Sequence, residues 1–291
     1  MPQLSYSTAG FGSLDLGPAL DHIAAAGFRC VELACDRHVA GDHPSQMATR
    51  VRRQLEEREM MATTVHGPAR RNVLGAVTEE WRSASIPVLA DALRMTGEIG
   101  ARGMVIHGIP NPMFLPEDRD PRSLYETMVD AMRRSVEDLV PVAAEAGVRM
   151  LLENLPYNRD LRAEGKEGDY PLMRMSDLRE FVDPFPSEQV ALIVDVGHAW
   201  TDGSDPASEI RIAGDRLWGT HLQDVDHDDP QDDHWAPLQG GLDWPSIFEA
   251  LAEVDYPGAY TFEVIRPRND ESAEELALMT AATASTWGLF P

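Results

Sequence analysis

The sequence predicts an α/β protein, a single (β/α)8 barrel spanning residues 1–291. Short apolar stretches alternate with longer amphipathic ones along the whole chain, and eight such strand–helix units follow one another without a linker. Acidic residues and histidines recur at the last positions of the apolar stretches. An open doubly wound sheet is disfavoured, because the segment Ala9-Gly10-Phe11-Gly12 lacks the later glycine and the acidic partner of a phosphate-binding turn.

The first four units contain glycines where helices are expected to stop. Gly27, Gly100 and Gly147 each follow a helical stretch, as expected for a left-handed residue at a helix C-terminus. The predicted strands are Gln3–Thr8, Arg29–Ala34, Ala62–His66 and Gly103–His107. The predicted helices are one through Leu20, Ile23 and Ala26, then Ser45–Met60, Glu79–Ile99 and Ser123–Ala146.

The second half continues the alternation, with a polar loop after the fifth strand that contains Asn158, Gly165 and Gly168. A loop rich in Asp and His follows the seventh strand. The predicted strands are Val148–Glu153, Val190–Asp195, Leu217–Leu222 and Ala259–Val264. The predicted helices are Ser176–Val182, Pro206–Ile212, Trp244–Val254 and Ala273–Trp287.

Charge and cysteine content narrow the class of protein. With 25 Lys and Arg against 49 Asp and Glu, the formal net charge is −24, which disfavours nucleic acids and anionic membranes as partners. We expect no signal peptide, because the N-terminus has no basic region followed by an apolar stretch. We expect no transmembrane helix, because no apolar run approaches the ~20 residues required. Cys30 and Cys35 flank one predicted strand, and we expect reduced thiols and a cytoplasmic protein. The sequence leaves open whether copies of the chain form a homo-oligomer.

Polar residues at the strand ends are the main functional signal. Taken singly, a strand-end His is usually a hydrogen-bonded structural residue, and a strand-end Asp often caps the next helix. That explanation would have to hold independently on six strands, so we expect the side chains to converge at the carboxyl ends of the strands, where such barrels place their active sites. The residues concerned are His66, His107, Glu153, Asp195, His198, His221 and Glu263.

Four of these residues predict a metal site. Glu153, Asp195, His221 and Glu263 lie on consecutive strands and should surround a point on the barrel axis. Three carboxylates and one imidazole suit a divalent cation such as Mn²⁺, Mg²⁺, Co²⁺ or Zn²⁺ and leave positions for substrate oxygens. Such an ion would polarise a carbonyl oxygen and stabilise an enediolate, while a neighbouring carboxylate removes a proton from the adjacent carbon.

Short motifs occur in order at the same strand ends. They are Val65-His66-Gly67-Pro68, Ile106-His107-Gly108, Leu152-Glu153-Asn154, Asp195-Val196-Gly197-His198, His221-Leu222-Gln223-Asp224, Asp232-Asp233-His234, Leu238-Gln239-Gly240-Gly241 and Tyr256-Pro257-Gly258 leading to Glu263. In these motifs, over nearly its whole length, the chain resembles the xylose isomerase-like TIM barrels. This group includes sugar and sugar-phosphate isomerases and epimerases, inosose dehydratases and endonuclease IV.

The resemblance implies roles for individual residues. Its epimerases hold one metal ion at the positions of the four predicted ligands, and the glutamates matching Glu153 and Glu263 move the proton on opposite faces of the substrate. His66, His107 and His198 would line the substrate pocket. Glu32, on the second strand, is predicted to point into the barrel and to hydrogen-bond either the substrate or a metal-binding histidine, with an internal ion pair as the alternative.

Endonuclease IV complicates the assignment. Its three-zinc cluster uses ligands that match the residues above together with Asp232 and His234, so an additional metal site at Asp232 and His234 stays open. Against a nuclease stand the net charge of −24 and the scarcity of basic residues, since Arg70 and Arg71 are the only adjacent arginine pair in the strand-end loops.

One departure bears on the substrate. Epimerases of free ketoses usually carry an Arg shortly after the histidine of strand seven, and here an acidic loop beginning Gln223-Asp224 stands in that place. The acidic loop suits a neutral, cationic or metal-bound substrate better than a phosphorylated one, although Arg266 and Arg268 could bind a phosphate or carboxylate or simply neutralise Asp270 and Glu271.

The resulting hypothesis is a divalent-metal-dependent isomerase or epimerase of a sugar or sugar-like keto-polyol, active in carbohydrate metabolism. The alternatives are a dehydratase acting on a keto-inositol or dehydroshikimate-type substrate, an endonuclease IV-like trinuclear zinc phosphodiesterase, and a non-catalytic or partner-dependent barrel of a biosynthetic or C-glycoside-cleaving assembly.

Overall fold

A computed structural model of the protein describes residues 2–39, 44–111, 114–115, 121–156, 171–229 and 231–290. Within these ranges eight strands form a closed parallel barrel in chain order, with the last strand paired to the first. The predicted α/β barrel is therefore confirmed. The strands are β1 Leu4–Ser7, β2 Cys30–Ala34, β3 Met61–His66, β4 Gly103–His107, β5 Arg149–Glu153, β6 Val190–Asp195, β7 Leu217–Leu222 and β8 Tyr260–Phe262.

The helices surround the barrel and agree with the predicted ones apart from their ends. One short helix, α6, directly follows β6 and was not predicted. The predicted polar loop with Asn158, Gly165 and Gly168 lies outside the described residues. The helices are α1 Leu16–Ala25, α2 Pro44–Glu56, α3 Glu79–Ile99, α4 Tyr125–Ala146, α5 Met175–Val182, α6 Val196–Thr201, α7 Pro206–Ala213, α8 Trp244–Glu253 and α9 Ala273–Thr286.

Local sequence explains where several helices begin and end. Thr78 accepts a hydrogen bond from the backbone of Trp81 and starts α3, while Ser272 and Glu275 form a reciprocal capping box at the start of α9. Gly100 and Gly147 end α3 and α4 with φ values of 100° and 65°, a conformation that costs glycine little. The glycines that marked helix ends in the sequence thus have the predicted conformation.

The strands bury both of their faces. Their outer faces pack against the helices in the main apolar core, to which Leu33, Val65 and Met104 belong. A separate small cluster, Val105, Leu151, Ala191 and Ile193 with Trp218 against it, fills part of the barrel interior. Apolar side chains therefore close the lower part of the interior, and the polar strand-end residues lie above them at the carboxyl ends of the strands.

Strand register brings the predicted site residues side by side. In the parallel pairing His107 lies beside Glu153, and Asp195 lies beside His221. The register between β6 and β7 shifts at Leu192 and Ile193, immediately before these partners. Because in-register residues of neighbouring parallel strands share a face, these side chains project together into the barrel mouth.

No helix in the described part of the chain is long and apolar enough to cross a membrane. Cys30 and Cys35 are both buried free thiols.

Candidate metal centre and active-site cavity

The four predicted metal ligands meet at the mouth of the barrel. One donor atom from each of Glu153, Asp195, His221 and Glu263 lies within 4.8 Å of the others. His221 Nδ1 is 2.8 Å from Glu153 Oε1, 3.2 Å from Glu263 Oε2 and 3.8 Å from Asp195 Oδ2. All four residues are buried, with at most 4% of their surface exposed. Glu263 lies one residue beyond β8, and its backbone N–H still donates to Leu222 of β7.

Neighbouring residues fix Asp195 in this position. Its backbone N–H donates to Asn154 Oδ1 at 2.8 Å, and Asn154 Nδ2 donates to the Asp195 carbonyl at 2.9 Å. The Asp195 carboxylate accepts from the backbone N–H of His198 at the start of α6, and Gln223 Nε2 donates to both of its oxygens at 3.1 and 3.2 Å. The carboxylate is therefore oriented by its own helix cap and by the next strand.

The electrostatics of the group follow from burial and mutual attraction. Burial opposes the charged form of Glu153, but the positive charge of His221 and the polar contacts of Glu153 with His107 and His221 outweigh it, and the pKa of Glu153 lies well below its usual range. Burial likewise opposes protonation of His221, and the carboxylates of Glu263, Glu32 and Glu153 outweigh it, so the pKa of His221 lies well above its usual range. Carboxylates thus face both nitrogens of the His221 imidazole.

The donor set fits a divalent cation. Glu153 Oε2 is buried and has no hydrogen-bond partner, which is costly for a carboxylate oxygen unless a cation or substrate group satisfies it. Three carboxylates and one imidazole nitrogen are the ligand types that Mn²⁺, Mg²⁺, Co²⁺ and Zn²⁺ accept.

Glu32 lies beneath the metal-ligand group and not in the cavity. It is fully buried, its Oε1 and Oε2 are 3.0 and 3.2 Å from His221 Nε2, and Thr64 Oγ1 donates to it at 2.8 Å. The sequence left open whether Glu32 hydrogen-bonds the substrate, hydrogen-bonds a metal-binding histidine or forms an internal ion pair. Its contacts are with His221, one of the predicted metal ligands.

His66 and His107 lie on the β3 and β4 side of the centre. His107 Nε2 is 3.4 Å and His66 Nε2 is 3.9 Å from Glu153 Oε2. The His107 side chain is 28% exposed and the His66 side chain is 17% exposed, and both line the cavity above the centre. With Glu153 they form a second group of possible metal donors.

A third donor group comprises His198, Asp232 and His234. Asp232 Oδ1 lies 3.1 Å from His198 Nε2 and 2.8 Å from His234 Nε2. Burial opposes protonation of both histidines, but nearby carboxylates outweigh it. Asp195 and Asp232 raise the pKa of His198 to about 10. Asp232 and Glu263 raise the pKa of His234 to about 9. His198 Nδ1 also lies 2.8 Å from the Asn154 carbonyl, and His234 Nδ1 lies 3.1 Å from that of Glu263.

A cavity of about 660 Å³ opens above these groups. Its polar lining contains the three predicted pocket histidines and Arg70, while Arg266 and Arg268 are not among the described lining residues. Arg266 donates to the Asp232 carbonyl, and the Arg268 guanidinium lies 4.8 Å from the centre of the Trp235 ring. The apolar lining, which sequence reasoning did not assign, includes Ile109, Phe114, Leu155, Met173 and Ile265.

Sequence reasoning also gave no role to Asn154 and Gln223, which hold Asp195 in place. Both residues stand within motifs noted in the sequence, beside Glu153 and two residues after His221. A polar side chain next to a predicted ligand was the only signal that could have identified them.

Comparison with known proteins supports the assignment of the fold. The family model described as xylose isomerase-like TIM barrel matches residues 20–282. An uncharacterised protein of Methanocaldococcus jannaschii is 22% identical over 90% of this chain and 83% of its own length. D-psicose 3-epimerase of Enterocloster bolteae is 25% identical over 84% of this chain and 75% of its own length.

Among solved structures, 3-keto-D-glucoside 4-epimerase from E. coli has a TM-score of 0.76 and 21% identity, covering 98% of this chain and all of the other (100%). At that identity the likeness establishes a shared barrel fold.

Proposed function

Because the chain belongs to the xylose isomerase-like TIM barrel family, whose resemblance the sequence predicted, we propose that it is a divalent-metal-dependent isomerase or epimerase of a sugar or sugar-like keto-polyol. The observation that carries this proposal is the meeting of Glu153, Asp195, His221 and Glu263, with donor atoms within 4.8 Å of one another, beside an open cavity. The similarity to a D-psicose 3-epimerase supports it.

Glu153, Asp195, His221 and Glu263 would hold the cation. When bound, the cation would act as a Lewis acid towards the carbonyl oxygen of a keto-sugar and so make the neighbouring C–H more acidic.

Glu153 and Glu263 are the proposed acid/base pair. Glu153 is ionised at neutral pH because its pKa is depressed, and its Oε2 is free of hydrogen bonds among the described residues, so it can accept a proton. One glutamate takes the proton from the carbon next to the carbonyl, and the electron pair of that C–H bond moves towards the carbonyl oxygen. The other glutamate returns a proton to the same carbon from the opposite face, which inverts it.

His66, His107 and His198 are proposed to contact substrate hydroxyl groups, since all three line the cavity. Apolar residues on the cavity wall, such as Ile109 and Phe114, would cover the less polar faces of the sugar and exclude water.

The proposal is tested by incubating Mn²⁺-loaded protein with D-psicose, D-fructose, D-tagatose and a 3-keto-D-glucoside in D2O. We expect one deuterium to enter at the carbon next to the carbonyl of at least one of these, with the product otherwise unchanged in mass. A product lighter by one water would favour a dehydratase, and the absence of exchange with every substrate would refute the isomerase proposal.

Matched substitutions separate proton transfer from metal binding. Glu153→Gln and Glu263→Gln keep an amide oxygen for the cation but remove the base, so each should lower kcat by about 10²–10⁴-fold. Each variant is assayed at a Mn²⁺ concentration that restores its full metal content, measured on the same samples, so that loss of metal does not cause the fall. Glu209→Gln is the control, because Glu209 is also buried but contacts the Met175 backbone, away from the cavity.

The second candidate is a multinuclear phosphodiesterase, and one observation favours it. Besides the central four ligands, His66, His107 and Glu153 form one possible donor group, and His198, Asp232 and His234 form another. Metal analysis of protein purified without added ions decides between the two: one ion per chain supports the isomerase. Three zinc ions per chain with cleavage of abasic DNA would support the nuclease, although the net charge of −24 argues against a DNA substrate.

A further inference from the structure

Among the described lining residues the cavity carries one guanidinium, that of Arg70, which the proposed reaction does not use. Arg70 follows β3 and lines the cavity together with His66 and Ala69. In the described part of the chain it has no hydrogen-bond or ion-pair partner. This is notable in a protein with 49 acidic residues, where a guanidinium can readily find a carboxylate.

Other described arginines near the cavity already contact protein groups. Arg266 donates to the Asp232 carbonyl, and Arg268 lies over the ring of Trp235. Arg71, the direct neighbour of Arg70, lies over the ring of Trp81 at 4.9 Å and is not among the lining residues. Among the described residues, Arg70 is therefore the arginine positioned to meet a molecule in the cavity.

The backbone of Arg70 adopts a conformation that the residue type does not favour. The Asn72 N–H donates to the Ala69 carbonyl at 3.1 Å, which closes a turn with Arg70 and Arg71 at its centre. Arg70 has a φ of 61°, whereas Arg71 does not have a positive φ. A positive φ at only the first central position is the pattern of a type II′ turn, in which that position normally takes glycine.

Contacts on both sides hold this turn without help from the Arg70 side chain. The Ala69 N–H donates to Asp36 Oδ2 at 3.2 Å. The Arg71 carbonyl accepts from Trp81 Nε1 at 2.5 Å and from Ser85 Oγ at 3.0 Å. The strain at Arg70 thus brings its side chain no hydrogen bond or ion pair within the described residues, and strained residues of this kind concentrate at ligand-binding sites.

Resting on the proposed function, we propose that Arg70 binds an anionic group of the substrate, a phosphate or a carboxylate, and makes the enzyme prefer acidic keto-sugars to neutral ones. The planar guanidinium can donate two parallel hydrogen bonds to either group. The proposal places this recognition on the β3 side of the cavity and not in the acidic loop after β7, which alone would suit a neutral or cationic substrate better.

Calorimetric titration of the Mn²⁺-loaded protein tests this preference without requiring turnover. The probes are D-fructose, D-fructose 6-phosphate and D-fructuronate, so that the last two distinguish phosphate from carboxylate recognition. We expect at least one anionic probe to bind about tenfold or more tightly than D-fructose. Arg70→Gly should abolish this preference, so that neither anionic probe binds more tightly than D-fructose.

Arg70→Gly suits this test because glycine is the residue that the turn prefers, so its midpoint of thermal unfolding should not fall. Arg71→Ala is the control, since it removes the same charge from the adjacent position outside the cavity. Arg70→Lys, which keeps the charge but not the paired donors, should retain part of the preference.

The inference is overturned if the wild type binds neither anionic probe more tightly than D-fructose, if Arg70→Gly keeps the preference, or if Arg71→Ala loses as much of it. Deuterium exchange into the same ketoses keeps this result separate from the proposed function. Exchange without an anion preference refutes only the role of Arg70, whereas an anion preference without exchange refutes only the reaction.

Discussion

Glu32 holds His221 from below, on the side of the imidazole opposite to the metal-ligand carboxylates. His221 Nε2 lies 3.0 Å from Glu32 Oε1, while Nδ1 faces Glu153 Oε1 at 2.8 Å. If Nε2 carries the hydrogen and donates it to Glu32, then Nδ1 presents its lone pair to a cation. A carboxylate of this kind sets the tautomer of a ligand histidine and strengthens it as a ligand.

We expect Glu32→Gln to weaken Mn²⁺ binding by about 10–100-fold, because the neutral amide no longer stabilises the imidazole in the ligating state. Competition with a chelator of known affinity measures the change. Glu209→Gln is the control, since Glu209 is a second buried glutamate that contacts no histidine in the described structure. Equal Mn²⁺ affinity in Glu32→Gln and the wild type would show that Glu32 has only a packing role.

The sequence was sufficient for the barrel and for the residues at the mouth because both depend on local patterns. Apolar stretches alternating with helical ones predict strand order, and a parallel barrel necessarily brings strand ends together. Glu153, Asp195 and His221 could therefore be placed in one site from their positions alone, and their donor atoms do meet.

Contacts between distant parts of the chain could not be predicted in this way. Asn154 pairs with the Asp195 backbone across 41 positions, and the Glu32 and His221 contact spans 189. Either partner alone is an unremarkable polar residue, and only the closed barrel with its register shifts decides which side chains meet. The positive φ at Arg70 could not be predicted either, because the turn lacks the glycine that usually indicates this conformation.

Removal of metal should destabilise the fold, because a cation that binds the four buried ligands of the folded chain, and not the unfolded chain, stabilises the folded state. At a free Mn²⁺ concentration of about 100 times Kd, the free energy of unfolding should exceed that of the chelated protein by about 2.7 kcal/mol. Thermal unfolding with EDTA and with graded Mn²⁺ measures this difference. His221→Asn should lose the response. His22→Asn should keep it, because His22 is partly exposed on α1 and is not among the possible metal donors. A midpoint indifferent to Mn²⁺ in the wild type would argue against the site.

The two cysteines should resist modification in the native protein. Burial, followed by the charge of Asp36, raises the pKa of Cys35 to about 12, and burial also raises the pKa of Cys30. Because the thiolate is the reactive species, a thiol-specific chromogenic reagent should react with neither residue in buffer and with both in denaturant. Rapid reaction of one thiol in the native state would contradict the buried placement of that residue.

Asp224 anchors the loop that carries Asp232 and His234. Its fully buried carboxylate accepts from the backbone N–H groups of Val225 and Leu242 at Oδ1, and from the Leu238 N–H and Trp244 Nε1 at Oδ2. Asp224→Asn would turn an NH2 group towards two of these donors. Each unsatisfied buried group costs about 1–3 kcal/mol, so the free energy of unfolding should fall by at least about 2 kcal/mol.

The same substitution should lower activity as well as stability, because the β7 loop supplies Asp232 and His234 to the cavity lining. Chemical denaturation and deuterium exchange on one preparation measure the two effects together. Asp228→Asn is the control: it lies in the same loop with its side chain 96% exposed, and it should change neither quantity. If Asp224→Asn matched Asp228→Asn in both assays, the four hydrogen bonds at Asp224 would not be what positions the loop.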